Sequence, residues 1–339
     1  MTVSLEPYLD VVPEEVVDRL RTARRVLAVS HENPDADTLG ATLGVVCLVE
    51  AIGGFADAVC TDPVPPLYGF IEGIDRFRTD PDESAPYDLL VISDCGSLER
   101  IGEVATRHPD LFARLPRVII DHHASNDATG AADWIDPGAA ATCEMVTLLA
   151  ARLQVPLDAD GGGLAAALMA GIVMDTATFA HPNATPRTLV VSAALVDAGA
   201  PLSDISRRLY RSKPDAQLKL FGVVLARMES AEDGRIVWSS VSDADYAATG
   251  AKRPDSEGII DLLSQSETAD VAILFKQSGA ATRVSVRTKP GGVDATVLTG
   301  AFGGGGHARA AGASVDASLA EAQPRVIAEA TRLVKALAG

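Results

Sequence analysis

The chain has 339 residues and a formal net charge of −17, with 46 acidic and 29 basic side chains. This length is too great for one ordinary hydrophobic core and suggests two domains. The hydrophobic content of 47% is typical of a folded protein rather than a disordered one. Proteins that grip long nucleic acid through its phosphates normally have a basic face. The sequence has no run rich in Lys and Arg, so we expect any phosphate-bearing ligand to be small.

Neither a membrane span nor an export signal is predicted. The longest nearly apolar stretch, 161–174, is shorter than a membrane span and stops at Asp175. The N-terminal residues have no basic start and no apolar core. The four cysteines form no C-x-x-C pair, which is typical of reduced thiols and argues against a zinc ribbon. We therefore expect a cytoplasmic protein that does not bind membranes.

The first polar cluster lies between an early strand and the helix after it. A helix, a strand and a second helix are predicted over 13–22, 24–30 and 38–52. His31, Asp35 and Asp37 follow the strand within one short loop, so their side chains can converge. An alternative is that Asp37 only caps the second helix, which leaves His31 and Asp35 unexplained.

The same pattern returns at three later points of the chain. Strands are predicted over 55–60, 87–94 and 117–121, and helices over about 136–153 and 164–173. Asp94 ends one apolar strand, Asp121, His122 and His123 end the next, and Asp175 follows the long apolar helix. Parallel strands that are buried on both faces end at a common edge, where open α/β folds bind their ligands. We therefore expect these side chains to meet there.

Together these segments have the donor chemistry of a metal centre. The expected donors are His31, Asp35, Asp37, Asp94, His122, His123 and Asp175. Carboxylates with imidazoles suit divalent transition ions such as Mn²⁺, and the histidines make Mg²⁺ less favourable. Six or more donors are too many for one ion and suit two ions about 3.5–4 Å apart, an arrangement used for in-line displacement at phosphorus. A purely structural role would leave the repulsion between the carboxylates uncompensated.

The C-terminal half changes to alternating strands. Helices are predicted over 188–200, 203–209 and 317–337, and strands over 235–241, 270–276 and 283–288. The run Gly303–Gly306 precedes His307 and a stretch of small residues. Such a run on its own is often a flexible loop. Followed by His and the start of a small-residue helix, it suggests an anion nest that presents backbone N–H groups.

These blocks resemble the motifs of the DHH phosphoesterase superfamily. The N-terminal motifs are His31-x-x-x-Asp35-x-Asp37, Asp94, Asp121-His122-His123 and Asp175. The glycine run before His307 is similar to the hallmark loop of the DHH-associated C-terminal domain. The chain most resembles the oligoribonuclease and phosphoadenosine-phosphate (PAP) phosphatase subgroup, called NrnA-like, which includes actinobacterial cyclic-di-AMP phosphodiesterases.

The resemblance implies an α/β fold with two domains. A mainly parallel sheet with flanking helices would occupy 1–190, and a helical linker would occupy 191–215. A smaller mixed-sheet α/β domain would occupy 216–339, with the active site in the cleft between the domains. The family often has Gly after Asp-Thr in its fourth motif, where this chain has Ala177, and Ala180 stands where relatives often have a polar residue.

The resemblance also implies roles for the motif residues. One ion would be held by His31, Asp35 and Asp94, and the other by Asp37, Asp94, His122 and Asp175, with Asp94 bridging. The residues implied in catalysis are Asp94, Asp121 and His123. Asp121 would orient the histidines, and His123 would contact the scissile phosphate and assist the leaving group.

In the second domain, Arg287 and His307 are implied in substrate binding. Together with the amides of Gly303, Gly304, Gly305 and Gly306, they would bind the other phosphate or base end of the substrate.

The implied enzyme uses two Mn²⁺ ions, with Mg²⁺ or Co²⁺ as substitutes, to activate water for attack at phosphorus. Its substrates would be RNA of two to five nucleotides, linear dinucleotides and adenosine 3′,5′-bisphosphate, and it would form a homodimer that does not bind long duplexes. Cyclic dinucleotides are an alternative substrate, and a non-catalytic nucleotide sensor is an alternative of another class. A pyrophosphatase would lack the glycine run. A single-strand DNA exonuclease of the RecJ type would be longer and more basic.

Overall fold

The computed structural model describes residues 3–126, 130 and 132–337, without the side chain of residue 160. The chain divides into two compact units, Met1–Ser212 and Lys213–Gly339. This division falls inside the segment 191–215 that we expect to link the domains.

The first unit is built from alternating helices and strands. In chain order they are α1 Glu14–Thr22, β1 Arg25–Val29, α2 Ala36–Ala51, β2 Phe55–Val59, β3 Leu89–Ser93, α3 Glu103–Arg107, α4 Pro109–Arg114, β4 Arg117–Asp121, β5 Ala132–Ile135, α5 Thr142–Arg152, α6 Gly163–Asp175, α7 Pro186–Asp197 and α8 Leu202–Tyr210. Short 3₁₀ segments lie at Glu6–Val11, Pro66–Tyr68, Ile74–Arg76, Leu98–Ile101 and Ala159–Gly162.

The first sheet is parallel throughout, with the strand order β2-β1-β3-β4-β5. Apolar clusters lie on both of its faces. One cluster includes α2, α5 and α6, and the other includes α3 and α4. The chain reverses direction across the sheet between β1 and β3, which are neighbours. Such a switch point, at the carboxyl edge of the strands, is where doubly wound sheets bind ligands. The predicted fold class is confirmed.

One strand of this sheet was not predicted. β5 has only four residues, Ala-Asp-Trp-Ile, and it carries a charge in its interior. It pairs with β4 at the edge of the sheet. An edge strand this short needs no continuous apolar run, so the pattern that identifies the central strands does not detect it.

Glycines allow α2 and α6 to pack closely behind the sheet. A Cβ added at Gly171 would lie 2.4 Å from Cys143 Sγ and 2.5 Å from Asp37 Oδ1. A Cβ added at Gly40 would lie 2.4 Å from the carbonyl oxygen of Ala167. These contacts are shorter than van der Waals separations, so the two helices can approach only where side chains are absent. The approach brings Asp37, in the first turn of α2, against α6.

The second unit is a smaller mixed α/β domain. Its elements are α9 Asp215–Ala226, β6 Glu229–Ala231, β7 Ile236–Val241, α10 Asp243–Thr249, α11 Ile259–Leu263, β8 Val271–Ser278, β9 Ala281–Thr288, α12 Ala295–Gly300, β10 Gly305–His307, β11 Ala310–Val315 and α13 Leu319–Ala336, with a 3₁₀ segment at Arg253–Ser256. The strand order is β10-β11-β9-β8-β7-β6. Only the β7–β8 pair is parallel among these described strands. The elements of this unit that were not predicted are α9, α10, α11, α12, β6, β10 and β11.

The sequence suggested that the glycine run leads into a helix. The structure shows a strand there instead. Residues Gly305–His307 form β10, which pairs antiparallel with β11. A Cβ added at Gly304 would lie 2.2 Å from the carbonyl oxygen of Gly312, and one at Gly306 would lie 2.7 Å from that of Ala310. Gly304 and Gly306 are needed because the backbone of β11 approaches too closely for side chains there, whereas a Cβ at Gly303 or Gly305 would meet open space.

Within the described residues, no single helix is both long and apolar enough to cross a membrane. By length and composition alone, α7 and α8 together would be long and apolar enough, but a bend of 112° separates them.

We predict that Gly171→Ala will destabilise the first unit. The added methyl group must displace Cys143 or Asp37, and overpacking of this kind costs about 1–3 kcal/mol. Urea unfolding should therefore show a lower midpoint than for the wild-type protein. Gly222→Ala is the matched control, because this glycine lies on an exposed part of α9 with open space around it and should lose no stability. An unchanged midpoint for Gly171→Ala would contradict the close-packing account.

Candidate metal centre

Three strand ends at the carboxyl edge of the first sheet carry the central residues of the site. His31 lies two residues after β1, Asp94 directly follows β3, and His122 directly follows β4. Asp37 lies in the first turn of α2, and Asp175 is the last residue of α6. The structure thus brings together donors from four separate parts of the chain, as predicted from the sequence pattern.

His31, Asp35 and Asp94 form the first group of side chains that could hold a metal ion. His31 Nε2 lies 3.6 Å from Asp94 Oδ2 and 3.9 Å from Asp35 Oδ2, too far for hydrogen bonds. The Nδ1 atom of His31 is 2.6 Å from the carbonyl oxygen of Glu32. Since that carbonyl can only accept, Nδ1 carries the proton, and Nε2 is left to bind a cation.

Asp35, and not Asp37, caps α2. Its Oδ1 atom accepts hydrogen bonds from the backbone N–H groups of Asp37 and Thr38, while Oδ2 faces His31. The alternative interpretation of Asp37 as a simple N-cap is therefore wrong. The cap fixes the orientation of the Asp35 carboxylate in the site.

Asp37, His122 and Asp175 form the second group. His122 Nε2 lies 3.1 Å from Asp175 Oδ2 and 3.5 Å from Asp94 Oδ1. The Nε2 atom is buried, yet it has no hydrogen-bond partner of suitable geometry among the described residues. A buried ring nitrogen in this condition, surrounded by carboxylates, fits a metal ligand.

Asp94 lies next to both groups, near His31 of the first and His122 of the second. It also forms a third group of donors with His122 and His123, whose Nδ1 atom lies 3.7 Å from Asp94 Oδ1. Asp94 is only 2% exposed and has a φ of +58°, in the left-handed region. Such a conformation costs a non-glycine residue about 1–3 kcal/mol and is tolerated where the surroundings hold it in place.

Asp121 holds His123. Its Oδ1 atom accepts hydrogen bonds from the Nδ1 atom and the backbone N–H of His123, at 2.7 and 3.2 Å. Its Oδ2 atom accepts a hydrogen bond of 2.6 Å from the side-chain amide of Asn126. Asp121 is completely buried, whereas the side chain of His123 is 37% exposed. The ring of His123 is therefore oriented from inside the protein and presents Nε2 outward.

Sequence reasoning missed the N-terminus of α5, which holds two of the carboxylates. The backbone N–H groups of Thr142 and Cys143 donate to Asp37, at 2.7 and 2.9 Å. The Thr142 hydroxyl donates to Asp94 Oδ1 at 2.9 Å. The start of a helix favours negative charge, so this turn stabilises both carboxylates. Its one signal in the sequence is a residue with a hydroxyl group, Thr142, inside the helix predicted over about 136–153.

An ion-pair network anchors the start of α5. The guanidinium group of Arg187 binds Glu144 and lies 2.8 Å from Asp136 Oδ2. Glu144 is fully buried in the first turn of α5, and its Oε2 atom accepts a hydrogen bond from the backbone N–H of Ala140. These contacts tie α5 to α7 and to the end of β5, and so keep Thr142 in place.

A left-handed turn follows Asp175. Ala177, Thr178 and Phe179 have φ values of +47°, +58° and +64°. Each such residue costs about 1–2 kcal/mol relative to a right-handed conformation. The turn ends α6 directly after Asp175 and therefore keeps this carboxylate at the helix end. Ala177 occupies a left-handed position that glycine, the residue often found there in the family it resembles, adopts freely.

The carboxylates and imidazoles shift the pKa values of one another. Burial lowers the pKa of His122, but the contact with Asp175 and the charges of Asp37 and Asp94 outweigh it and raise the pKa to about 10. Burial and the charges of Asp94 and Asp175 raise the pKa of Asp37 well above its usual value. Although burial opposes its ionisation, His31 and the other histidines lower the pKa of Asp94. Protons on the histidines thus neutralise part of the negative charge of the carboxylates, as a bound divalent cation would.

The predicted substrate residues lie in the second unit. Arg287 is half-buried and its Nε atom donates to Asp261 at 3.1 Å, while His307 is exposed. Both belong to one row of the sheet, because Ala310 pairs with each of them. The amides of Gly303 and Gly304 donate to the carbonyl oxygens of Gly300 and Thr299. The prediction that these two amides form an anion nest is therefore wrong, because both already donate hydrogen bonds within the protein.

Comparison with known proteins assigns both units. Residues 25–172 match the model described as the DHH family, N-terminal domain, and residues 236–336 match the DHHA1 domain. The bifunctional oligoribonuclease and PAP phosphatase NrnA of Thermus thermophilus is 30% identical over 91% of this chain and 89% of its own. The chain belongs to the DHH family. The DHH-family assignment and the enzyme class, a phosphoesterase and hence a hydrolase, are confirmed.

Two further known proteins are similar to this DHH-family chain. The bifunctional oligoribonuclease and PAP phosphatase NrnA of Bacillus subtilis is 25% identical over 89% of this chain and 92% of its own. A crystal structure of an exopolyphosphatase-related protein from Bacteroides fragilis superposes with a TM-score of 0.83 at 20% identity and covers 100% of both chains. That structure supports the fold alone.

We predict that Thr142→Val will weaken metal binding. Valine has the shape of threonine and keeps the backbone N–H that binds Asp37, but it cannot hold Asp94. Loss of a contact that orients a ligand typically lowers metal affinity by about 10–100-fold. Calorimetric titration of the metal-free protein with Mn²⁺ would measure the loss. Thr142→Ser keeps the hydroxyl and should bind like wild type, and a Thr142→Val protein of unchanged affinity would refute the role.

We also predict that metal affinity rises with pH. A proton on Nε2 of His31 or His122 must leave when a cation binds there, and the surrounding carboxylates raise the pKa of both residues, that of His122 to about 10. Below these pKa values, each displaced proton makes the association constant rise by about tenfold per pH unit. Titrations near neutral pH, in two buffers of different ionisation enthalpy, would count the released protons. An affinity independent of pH would contradict this account.

Proposed function

We propose that this DHH-family protein is a Mn²⁺-dependent phosphodiesterase and phosphatase. It hydrolyses RNA of two to five nucleotides and linear dinucleotides to 5′-mononucleotides, and it dephosphorylates adenosine 3′,5′-bisphosphate to AMP. The names of its relatives, oligoribonuclease and PAP phosphatase, support this choice of substrates. The strongly acidic composition also favours small phosphate-bearing substrates over long nucleic acid.

The observation that carries the proposal is the pair of donor groups on either side of Asp94. His31 and Asp35 lie on one side, and Asp37, His122 and Asp175 lie on the other. We propose that each side, together with Asp94, holds one divalent ion. When bound, two such ions lower the pKa of water and neutralise the charge that develops on the phosphoryl oxygens. Both donor sets combine carboxylate with imidazole, which suits Mn²⁺.

In this proposal His123 acts on the substrate rather than on the metal. Asp121 Oδ1 accepts hydrogen bonds from the Nδ1 atom and the backbone N–H of His123, so that Nε2 is directed outward. From there Nε2 contacts the scissile phosphate and can donate a proton to the leaving oxygen. A proton donor fixed in this way adds little reorganisation cost to the reaction. Asp121 is thus a positioning residue for His123.

The second unit would bind the end of the substrate that does not react. Arg287 and His307 lie in one row of the sheet, separated by the small Ala310, and can bind a phosphate and a base edge. Gly305 and Gly306 would let the substrate approach the backbone closely. The expected cytoplasmic location and homodimer stay predictions.

A hydrolysis panel with Mn²⁺ would test the function. We expect fast release of mononucleotides from pApA, pGpG and an RNA pentamer, with slower or no cleavage of a 24-mer, cyclic di-AMP and pyrophosphate. Asp94→Ala should lower turnover by about 10²-fold or more, because both ions share this ligand. Cleavage of pyrophosphate alone would contradict the proposal. Tight dinucleotide binding without any turnover would instead support a nucleotide sensor.

Arg287→Ala should mainly raise KM. The residue binds a part of the substrate that is not reacting, so its loss removes binding energy common to the ground and transition states. Steady-state kinetics with pApA should show KM higher by about tenfold and kcat changed little. Arg332→Ala, which removes an exposed cation of α13, is the matched control. Kinetics like those of the wild type would refute a substrate role for Arg287.

A further inference from the structure

Tyr68 is a buried tyrosine whose hydroxyl group has no hydrogen-bond partner within the part of the chain that the structure describes. It is only 7% exposed and packs in the apolar cluster that includes α2, α5 and α6. Buried tyrosine hydroxyl groups normally find a partner. Tyr87, for comparison, donates to Asp57 Oδ2 at 2.9 Å. Tyr210 donates to the carbonyl oxygen of Met174 at 2.7 Å. An unpartnered donor such as that of Tyr68 points to a role in binding a ligand.

The end of α8 places the segment around Tyr68 beside the metal centre. The hydroxyl group of Tyr210, the last residue of α8, binds the carbonyl oxygen of the residue directly before Asp175. In the same turn of α8, the guanidinium carbon of Arg208 lies 5.5 Å from the centre of the Phe70 ring. Phe70 is two residues after Tyr68 in the chain. Helix α8 therefore contacts both this segment and the end of α6 that carries Asp175.

The charges of the metal centre act on both tyrosines. Burial and the charge of Asp35 raise the pKa of Tyr68. Burial and the charges of Asp175 and Asp35 raise the pKa of Tyr210 to about 12. Because solvent screens charges that are far apart, both rings lie near the Asp35 carboxylate. With its pKa raised, Tyr68 keeps its proton at neutral pH and offers a hydrogen-bond donor there.

The metal centre opens to solvent at two of its edges. The side chains of Asp35 and His123 are 40% and 37% exposed, whereas those of His31 and Asp94 are each 3% exposed. A phosphate must therefore approach the centre past Asp35 and His123. The two edges lie by different oxygen atoms of Asp94. His123 is near Oδ1, whereas His31, in the group of Asp35, is near Oδ2. Tyr68 belongs to the Asp35 edge.

We propose that the Tyr68 hydroxyl group donates a hydrogen bond to a phosphoryl oxygen of the substrate, at the Asp35 edge of the metal centre. This inference rests on the proposed function, in which the centre cleaves a phosphate ester and His123 acts on the leaving oxygen. Tyr68 binds an oxygen that stays on phosphorus and carries developing negative charge. Packing fixes its ring and burial has already removed most of its water, so the donor needs little reorganisation during the reaction.

Tyr68 acts mainly in the transition state. A donor aimed at an oxygen that gains charge stabilises the transition state more than the bound substrate. Loss of the hydroxyl group should therefore lower kcat rather than raise KM. Because this hydroxyl group makes no hydrogen bond to Asp35 or to another described residue, its loss should leave metal binding unchanged.

The test is Tyr68→Phe, which removes the hydroxyl group and keeps the ring that packs in the core. With the Mn²⁺-loaded enzyme and pApA, kcat should fall by about 10–100-fold while KM changes by less than about threefold. A binding measurement tests the contact without turnover. Orthovanadate, which can adopt the five-coordinate geometry of a phosphate under attack, should bind the Mn²⁺-loaded variant about tenfold more weakly in calorimetry. Mn²⁺ itself should bind with wild-type affinity.

Tyr87→Phe is the matched control. Tyr87 is also buried, but it precedes β3, whereas Asp94 follows this strand, so the two residues lie at opposite edges of the sheet. Loss of the hydrogen bond to Asp57 should lower the midpoint of thermal unfolding. The kinetic constants for pApA and the affinities for orthovanadate and Mn²⁺ should stay at wild-type values.

Unchanged kcat together with unchanged orthovanadate affinity in Tyr68→Phe would overturn the inference. A higher KM with unchanged kcat would also overturn it, because Tyr68 would then bind a part of the substrate that does not react. So would a loss of Mn²⁺ affinity that accounts for the whole effect, since Tyr68 would then support the metal ligands. If the wild-type protein cleaves no phosphate ester but binds orthovanadate through Tyr68, the proposed function fails while the contact stands.

Discussion

The carboxylate of Asp94 lies within 3.7 Å of nitrogen atoms from three imidazole rings, those of His31, His122 and His123. It is almost completely buried, so its charge is stable only with compensating cations or hydrogen bonds around it. The switch point between β1 and β3 brings His31 to it, β4 on the other side of β3 brings His122 and His123, and the Thr142 hydroxyl fixes its orientation. Much of the first unit can be understood as the support for this one charge.

Some contacts hold the carboxylates directly, and others hold the elements that make those contacts. The start of α5 binds Asp37 through two backbone N–H groups and Asp94 through a hydroxyl, and the ion pairs of Arg187 hold α5 itself. The left-handed turn after Asp175 and the left-handed conformation of Asp94 cost free energy that the tightly packed sheet and helices offset. On the α6 side, the approach of Gly171 to Asp37 leaves no room for a side chain at residue 171. A site held in this way is ready for cations before they bind.

The sequence predicted the fold class and the convergence of the donors because both depend on a strong local pattern. Long apolar runs that end in His or Asp identify buried parallel strands and their common edge, and no tertiary information is needed. His31, Asp94 and His122 were found in this way. The strand β5 and the helix α9 were missed because one is a four-residue edge strand and the other follows a change of pattern.

The remaining features depend on contacts between distant segments. Thr142 lies 48 residues from Asp94 in the chain, so no local pattern could pair them. The glycine run has the composition of an anion nest, yet the carbonyl groups of α12 and the partner strand β11 use its backbone. Whether glycine serves a ligand or close packing is decided by what lies opposite, as the short Cβ distance at Gly304 illustrates.

Calorimetric titration of the metal-free protein with Mn²⁺ tests most directly whether Asp94 joins two ion sites. The account predicts two ions per chain for the wild type. For Asp94→Asn, which keeps the shape of the side chain but lacks its charge, it predicts loss of high-affinity binding at both sites. A single ion per chain in the wild type, or two ions retained by Asp94→Asn, would contradict it.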